Sequence, residues 1–248
     1  MTNTGGPLTG IQVVDRTTAV SGPVAAVILA DQGADVIKIE PPGGDFMRAA
    51  GPKTGMNPTF VACNRGKRSM VLDLKQQRAA EIMWRVIESA DVLIQNFRPG
   101  AIERLGFGAS TVAARNPKLV YLSISGVGES GPYSGKRVYD PVIQALGGLA
   151  DIQADPQTGR PRMVRTLIAD KTTAVYAAQA VVAALFSRER SGVGQHIRLS
   201  MLDTLVCYLW PEGMASSALV DTEPETTAAS AHDMIFPTAN GYITLGAV

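Results

Sequence analysis

The chain has 248 residues, 46% of them hydrophobic and 18% charged, which is ordinary for a soluble globular α/β protein. Its formal net charge of +1 gives no overall field that would gather nucleic acid or an anionic membrane, so an anionic ligand would need a local cluster of basic groups. Two cysteines, a start without the pattern of a signal peptide and the absence of an apolar run long enough to cross a bilayer lead us to expect a cytoplasmic protein without a disulfide framework.

The first forty residues predict a strand, a helix and a second strand. An apolar run over residues 11–14 precedes a polar turn and then Ser21-Gly22-Pro23, where we expect the serine to cap a helix and the proline to lie in its first turn. A strand over residues 33–40 follows and ends at two prolines and two glycines. Strand, helix and strand in about thirty residues form the unit of a parallel sheet.

The same alternation continues along the chain. Strands are predicted at 68–74, 91–95, 119–125 and 195–199, and helices at 76–89, 99–106, 110–115, 140–149 and after Asp170 as far as Arg188. Short loops between such elements favour a doubly wound, mostly parallel, Rossmann-like sheet in a large α/β domain over residues 1–205.

Beyond Asp203 the pattern loosens. Residues 221–233 are rich in Thr, Glu, Ala and Ser and are predicted to be a linker, so that residues 206–248 hold this linker and the start of a second, smaller domain. The sequence stops within an apparent strand at 241–248, so we expect this second domain to be truncated.

A glycine-rich segment, Gly126-Val-Gly-Glu-Ser-Gly131, follows a predicted strand and fits the pattern G-x-G-x-x-G. In a dinucleotide site the third glycine lies in an opening helix, but Pro132 and Gly135 follow it here. No helix N-terminus would then face a pyrophosphate, so we expect a flexible loop rather than a dinucleotide site, unless the loop covers a ligand.

Asp170 heads a predicted helix that is apolar on nearly every face and is therefore expected to be buried. One interpretation is structural, because aspartate is a favoured N-cap and suits the positive end of the helix dipole. The other is functional, because a sheltered carboxylate beside backbone N–H groups can act as a covalent nucleophile. Both hold together if one oxygen caps while the other attacks.

Several basic residues follow predicted strands. Lys75, Arg98 and Arg104 could converge on phosphates at the carboxyl edge of the sheet, or they could form a solvated rim of charges. No Cys/His/Asp group has the spacing of metal ligands, so no metal is expected. Cys63 and Cys207 are predicted to be small buried hydrophobic residues.

A series of short segments at ordered positions carries a resemblance to a known family. The segments are LTGIQVVD at 8–15, GADVIKIE at 33–40, NRGKRS at 64–69, LDLK at 72–75, QNFRPG at 95–100, YD at 139–140, AD at 169–170, GVGQ at 192–195 and SMLD at 200–203. Together they resemble the family III CoA-transferases, a group that includes formyl-CoA transferase, carnitine CoA-transferases and α-methylacyl-CoA racemase. Members usually run well past 248 residues, which supports the expectation of an incomplete chain.

The resemblance implies a set of site residues and substrates. Asp170 matches the catalytic carboxylate of the family, coenzyme A or acyl-CoA is a substrate rather than a permanently bound cofactor, a carboxylic acid is the acceptor, and the chain forms an interlocked homodimer. The residues that match CoA contacts are Val20, Ser21, Leu72, Asp73, Leu74, Lys75, Asn96, Phe97, Arg98, Arg104, Arg137, Tyr139 and Asp140.

The resemblance also implies a mechanism, in which Asp170 attacks the acyl-CoA to give a mixed anhydride and then carries CoA as an aspartyl thioester. Position 139 bears on the choice of reaction, because the racemases have a histidine there and this chain has Tyr139, whose phenol is a poorer partner for α-proton removal. Transferase activity is therefore favoured. Racemase-type proton transfer and a catalytically silent CoA-binding module remain the alternatives.

Overall fold

The computed structural model describes residues 5–50, 56–213 and 235–244, most of which surround a six-stranded parallel sheet. Its strands lie in the order β3-β2-β1-β4-β5-β6, and each neighbouring pair is parallel. The order reverses between β1 and β4, which is the doubly wound arrangement that the sequence predicts. The strands are β1 (Gln12–Arg16), β2 (Asp35–Glu40), β3 (Arg68–Val71), β4 (Val92–Gln95), β5 (Val120–Ser125) and β6 (His196–Ser200).

Helices cover both faces of the sheet, because side chains alternate along each strand and both sets are apolar. The helices are α1 (Ser21–Asp31), α2 (Pro58–Ala62), α3 (Gln77–Ser89), α4 (Ala101–Arg104), α5 (Ala109–Arg115), α6 (Asp140–Leu146), α7 (Leu149–Ile152), α8 (Ile168–Ser191) and α9 (Met201–Gly213), with a 3₁₀ turn at Phe46–Arg48. One apolar cluster packs α1, α6, α7, α8 and α9 against one face of the sheet, which we call the α8 face. A second cluster joins α3, α4 and α5 to the opposite face, which we call the α3 face.

Helix α1 approaches the end of β1 closely because residue 22 is a glycine. A Cβ at Gly22 would lie 2.5 Å from the side chain of Thr17, which no ordinary contact permits. The Thr17 hydroxyl itself donates a hydrogen bond to Asp15 in β1. The first turn of α1 is thereby held against the carboxyl end of its preceding strand.

The start of α1 differs from the prediction. Ser21 is the first helical residue, and Val20 holds the N-cap position without a side-chain capping bond. The predicted cap at Ser21 is wrong because the N-cap lies one residue earlier, after a turn at Ala19, which has a left-handed φ of 66° although it is not a glycine. The Ser21 hydroxyl therefore serves the site described below instead of the helix end.

Several further boundaries differ from the predictions, three of them near the candidate site or its neighbouring turns. The strand predicted at 68–74 ends at Val71, and the helix predicted at 140–149 is divided because Gly148 adopts a left-handed φ of 82°. The long helix starts at Ile168, before Asp170 rather than after it. Each difference arises at a turn whose geometry depends on packing as well as on local residue type.

The chain after β6 continues as α9 to Gly213, so the predicted domain boundary between residues 205 and 206 lies inside a helix. Cys63 is buried as predicted, but Cys207 on α9 is exposed. The predicted linker at 221–233 lies outside the described residues. Strands β7 (Ile235–Thr238) and β8 (Gly241–Thr244) form an antiparallel hairpin, and the division into a large and a smaller domain stays a prediction. Among the helices of the described residues, none has both the length and the apolar character that crossing a bilayer requires.

Candidate active site

A cavity of about 280 Å³ lies at the carboxyl edge of the sheet, beside the point where the strand order reverses. Loops diverge to opposite faces at this point, and doubly wound sheets bind their ligands there. The loops after β1, β4 and β5 and the first turns of α1 and α8 line the cavity. Its lining consists of Thr18, Ala19, Ser21, Phe46, Asn96–Pro99, Ile124–Val127, Ser134, Lys136–Tyr139, Asp170 and Met201.

Asp170 lines this cavity from the first turn of α8, where it is the third helical residue. The interpretation of Asp170 as an N-cap is wrong, because Leu167 holds that position. The capping acceptor comes from a neighbouring helix: Asp140 Oδ2 accepts the backbone N–H of Asp170 at 3.0 Å, while Asp140 Oδ1 accepts from Gln144 Nε2 at 2.6 Å. The carboxylate of Asp170 is therefore not needed to cap its own helix, and it lines the cavity.

The environment of Asp170 shifts its acidity. Burial and the nearby charge of Asp140 raise the pKa of Asp170 from the ordinary 3.8 to about 6, although hydrogen bonds from the hydroxyl and backbone N–H of Ser21 act in the opposite direction. The first turn of α1, with its positive dipole end, thus faces the carboxylate. At neutral pH Asp170 is mostly ionised yet poorly solvated, which suits a nucleophile.

Helix α8 presents two different sides. Small residues such as Ala174 and Ala177 are buried against the sheet, but Val175 and Phe186 are 58% and 60% exposed. The expectation that the helix is buried because it is apolar all round therefore holds for its inner side only. A helix on the outside of one sheet meets a partner on one side alone, whatever its composition.

Six of the predicted CoA-contact residues lie in the cavity together with Asp170. Asn96 forms a double link to the loop after β1, since its Oδ1 accepts the Thr18 N–H at 2.9 Å and its Nδ2 donates to the Thr18 carbonyl at 2.8 Å. Gln95 Oε1 accepts the backbone N–H of Phe97 at 2.8 Å, which fixes the next residue of the same loop. The six residues are Ser21, Asn96, Phe97, Arg98, Arg137 and Tyr139.

The other predicted contacts lie outside the cavity, and their role in binding stays a prediction. Leu72 and Leu74 are buried in the apolar cluster of the α3 face, whereas Lys75 and Arg104 are exposed. Consecutive strands β3 and β4 are not neighbours but three strand positions apart, which is about 14 Å. Lys75 and Arg98 could therefore share only a long ligand. Val20, Asp73 and Asp140 complete the set, with Asp140 committed to Asp170 and Gln144.

The glycine-rich loop also reaches the cavity. Gly126 and Val127 line it, and a Cβ at Gly126 would lie 2.0 Å from the side chain of Val138 on the far side of the loop. After this loop the next helix does not begin until Asp140. The segment therefore closes a ligand cavity without the strand–turn–helix geometry of a dinucleotide site.

A network of buried charges beneath α1 was not anticipated from the sequence. Lys67 Nζ donates to Asp15 Oδ2 at 2.7 Å, to the Pro23 carbonyl at 2.8 Å and to two further oxygens, those of Cys63 and Asn64, at 3.0 Å. Burial alone would raise the pKa of Asp15, but Lys67 and Lys38 outweigh it, so that the pKa of Asp15 is lowered. The network fixes the first turn of α1 and therefore the position of Ser21.

One signal in the sequence could have indicated this network. Lys38 and Glu40 interrupt an apolar strand, and the end of β1 carries Asp15 and Arg16 in succession. Charged residues within buried strands need partners, and the partners must lie near the ends of adjacent strands. Which residues pair across the sheet was not readable without the strand order.

Comparison with known proteins gives concordant results. The family model described as CoA-transferase family III matches residues 8–248. The chain is 38% identical to a succinate–glutarate CoA-transferase of Agrobacterium fabrum over 99% of its length, and 40% identical to an acetyl-CoA:oxalate CoA-transferase of Acetobacter aceti over 86% of its length. A crystal structure of a CaiB/BaiF family protein from Brucella suis superposes on 96% of the chain with a TM-score of 0.85 at 34% identity.

The matches cover the relatives only in part. The aligned region amounts to 64% of the Agrobacterium protein, 55% of the Acetobacter protein and 65% of the Brucella structure. The chain thus spans somewhat less than two thirds of the length of these relatives.

Proposed function

Since the chain belongs to CoA-transferase family III, we propose that it provides the CoA-binding part and the nucleophile of an enzyme that moves CoA from an acyl-CoA thioester to a carboxylic acid. The observation that carries the proposal is the position of Asp170, a carboxylate with a pKa of about 6 that lines a cavity at the reversal point of the sheet. Because Asp140 accepts the Asp170 N–H, the Asp170 side chain is not needed to cap its own helix.

The proposed reaction needs four carbonyl steps. An Asp170 oxygen attacks the thioester carbonyl, and CoA leaves as a thiolate, which gives an acyl–aspartyl anhydride. The thiolate then attacks the aspartyl carbonyl, the donor leaves as a free carboxylate and an aspartyl-CoA thioester remains. The acceptor carboxylate attacks this thioester and releases the thiolate, which finally attacks the acceptor acyl carbon and frees Asp170. A covalent relay of this kind divides one difficult exchange into easier steps.

The remaining side chains of the cavity support binding of an anionic ligand. Arg98, Lys136 and Arg137 line it and supply local positive charge, although the formal net charge of the chain is only +1. We assign these residues, with Asn96 and Phe97, to CoA. The phenol of Tyr139 lines the same cavity, and we place the acyl group beside it.

The exposed side of α8 supports the proposed homodimer. Val175 and Phe186, with Val182 and Ile28 of α1, form an apolar groove on the outer surface of the chain. Groups of exposed apolar side chains of this kind are typical of protein interfaces. We propose that a second subunit covers this groove, and that the protein acts in the cytoplasm, where acyl-CoA substrates are available to it.

The direct test is to trap the covalent intermediate. Hydroxylamine added during turnover of the complete protein should convert Asp170 to a hydroxamate, which peptide mass spectrometry would locate. Asp170→Asn should lower the transfer rate by about 10⁴-fold or more, because the nucleophile is lost. Asp155→Asn is the matched control, since Asp155 is a carboxylate that lies outside the cavity lining.

Three results would contradict the proposal. Normal transfer by Asp170→Asn would exclude the covalent mechanism. Deuterium exchange at Cα of an acyl-CoA in the absence of any acceptor acid would indicate racemase-type chemistry. Binding of CoA without exchange of labelled CoA would indicate a silent binding module.

A further inference from the structure

Two arginines near the carboxyl ends of β1 and β2 have similar surroundings but different partners. Arg48 lies 4.1 Å from the ring centre of Phe60 and donates from Nε and Nη2 to the two carboxylate oxygens of Glu40, each at 2.7 Å. Arg16 lies 4.7 Å from the ring centre of Phe97. Within the described ranges of the chain, the buried Arg16 Nε has no hydrogen-bond partner.

This lack of an acceptor is unfavourable in the free protein. Arg16 is only 6% exposed, and burial lowers its pKa, a tendency that the nearby charges of Asp15, Asp45 and Glu40 counteract only in part. Each of those carboxylates is already engaged by another cation. The pairs are Asp15 with Lys67, Asp45 with Lys38 and Glu40 with Arg48.

Stacking on Phe97 does not supply what Arg16 lacks. An aromatic ring attracts the flat face of a guanidinium, but the N–H donors lie in the plane of the group and point away from its edges. A planar fork of donors matches the oxygens of a phosphoryl or carboxylate group. The positive charge of Arg16, which none of the three nearby carboxylates is left to balance, and its missing acceptor both indicate an oxyanion as the ligand.

The position of Arg16 narrows the choice of oxyanion. Arg16 is the last residue of β1 and lies opposite Gln95 of β4, directly at the reversal point of the sheet. Side chains alternate along a strand, so Arg16 belongs to the α3 face together with Phe97, whereas Asp170 belongs to α8 on the other face. An acceptor acid must reach Asp170. Arg16 is not among the residues that line the Asp170 cavity, so a CoA molecule whose sulfur lies at Asp170 would meet Arg16 with a more distant part, such as its nucleotide end.

We propose that Arg16 binds a phosphoryl group in the nucleotide half of CoA, an inference that rests on the proposed function. The loop of Asn96 and Phe97 would then lie between the two ends of the ligand. The free protein keeps the guanidinium desolvated and stacked, so that binding supplies the oxygens that it lacks.

The test compares Arg16→Leu with Arg48→Leu in the full chain. Arg16→Leu should weaken CoA binding by about 10- to 100-fold in calorimetry, the range expected for hydrogen bonds to a charged group. The same substitution should leave the melting temperature of the ligand-free protein unchanged or raise it, because an unpaired buried charge is removed. Arg48→Leu should do the reverse and lower the melting temperature with CoA affinity unchanged, since it leaves Glu40 buried and unpaired.

Ligand fragments separate the possible sources of the phosphoryl group. Loss of the Arg16→Leu effect with 3′-dephospho-CoA would assign Arg16 to the 3′-phosphate, and persistence of the effect would assign it to the pyrophosphate. An equal loss of affinity for pantetheine, which has no phosphate, would overturn the proposal, as would CoA affinity that is unchanged in Arg16→Leu. Failure of the parent chain to bind CoA would instead overturn the proposed function itself.

Discussion

The two edges of the six-stranded sheet treat charge in opposite ways. At the amino edge, Asp91 accepts the Gln12 N–H at 2.8 Å and pairs with Arg188 at 2.9 Å, and Arg68 pairs with Asp35, all with access to solvent. At the carboxyl edge, by contrast, several charged residues lie in the interior, among them Asp15, Lys38 and Glu40. The amino edge uses ion pairs to join elements at the surface, where they contribute little energy.

The carboxyl edge uses the same residue types to set positions and reactivity. Asp15, Lys38 and Lys67 are sealed beneath α1, and Asp170 is held in an environment that raises its pKa. Because buried charges are costly unless they are well paired, each charge at this edge depends on its partners far more than a charge at the amino edge does. The comparison teaches that the candidate site lies at the edge where charges are buried, away from the edge where they are exposed. Each of the following substitutions tests that contrast.

The largest effect on stability is expected at the carboxyl edge, for Lys67→Met. Removing the ammonium group leaves Asp15 and three carbonyl or amide oxygens buried without their donor. The free energy of unfolding should fall by about 3–5 kcal/mol, as for other broken buried pairs. Urea unfolding followed by circular dichroism measures this change, and a loss below about 1 kcal/mol would show that the network is not structural.

A smaller effect of opposite sign is expected for Asp170→Asn. The pKa of Asp170 is about 6 in the folded chain and 3.8 ordinarily, so the folded state is penalised by the ionised group. The penalty is absent below pH 4 and complete above pH 6, where it amounts to about 3 kcal/mol at most. Asp170→Asn should therefore stabilise the protein at pH 8, and the gain should vanish near pH 4. Melting temperatures across this range check the sign, and a gain that is independent of pH would contradict the assignment.

The smallest effect is expected at the amino edge, for Arg68→Gln. Arg68 and Asp35 have side chains that are 63% and 49% exposed, so the pair is screened by water. The free energy of unfolding should change by less than about 1 kcal/mol. Since Arg68 follows Lys67 directly in the sequence, the two variants form a matched pair, and equal losses in both would refute the contrast between the edges.

The sequence predicts the fold well because the information is local and repeated. Apolar strands such as 119–125 and helices such as 76–89 are each specified by their own residues and end at turns, so their alternation is enough to predict a doubly wound sheet. The errors lie at boundaries such as Ser21 and Gly148, where the turn depends on what packs against it.

The site was predicted unevenly for the same reason. Asp170 could be singled out as a candidate from its place near the start of a long apolar helix and from a family resemblance, but its hydrogen bond to Asp140, thirty residues earlier, could not. The pairing of Lys67 with Asp15 and the isolation of Arg16 likewise depend on contacts across the sheet. Local patterns carry no information on such contacts, whereas a single fixed strand order determines them all.

The double link between Asn96 and Thr18 has a consequence for the way a ligand enters. The amide of Asn96 bonds to Thr18 as a backbone peptide group would. It therefore continues the hydrogen bonding between β1 and β4 to the place where the two chains separate. The loops that follow β1 and β4 are therefore held at a fixed separation before any substrate binds. We therefore expect little loss of conformational entropy on this side when a ligand binds, and any closing movement to come from the opposite wall of the cavity.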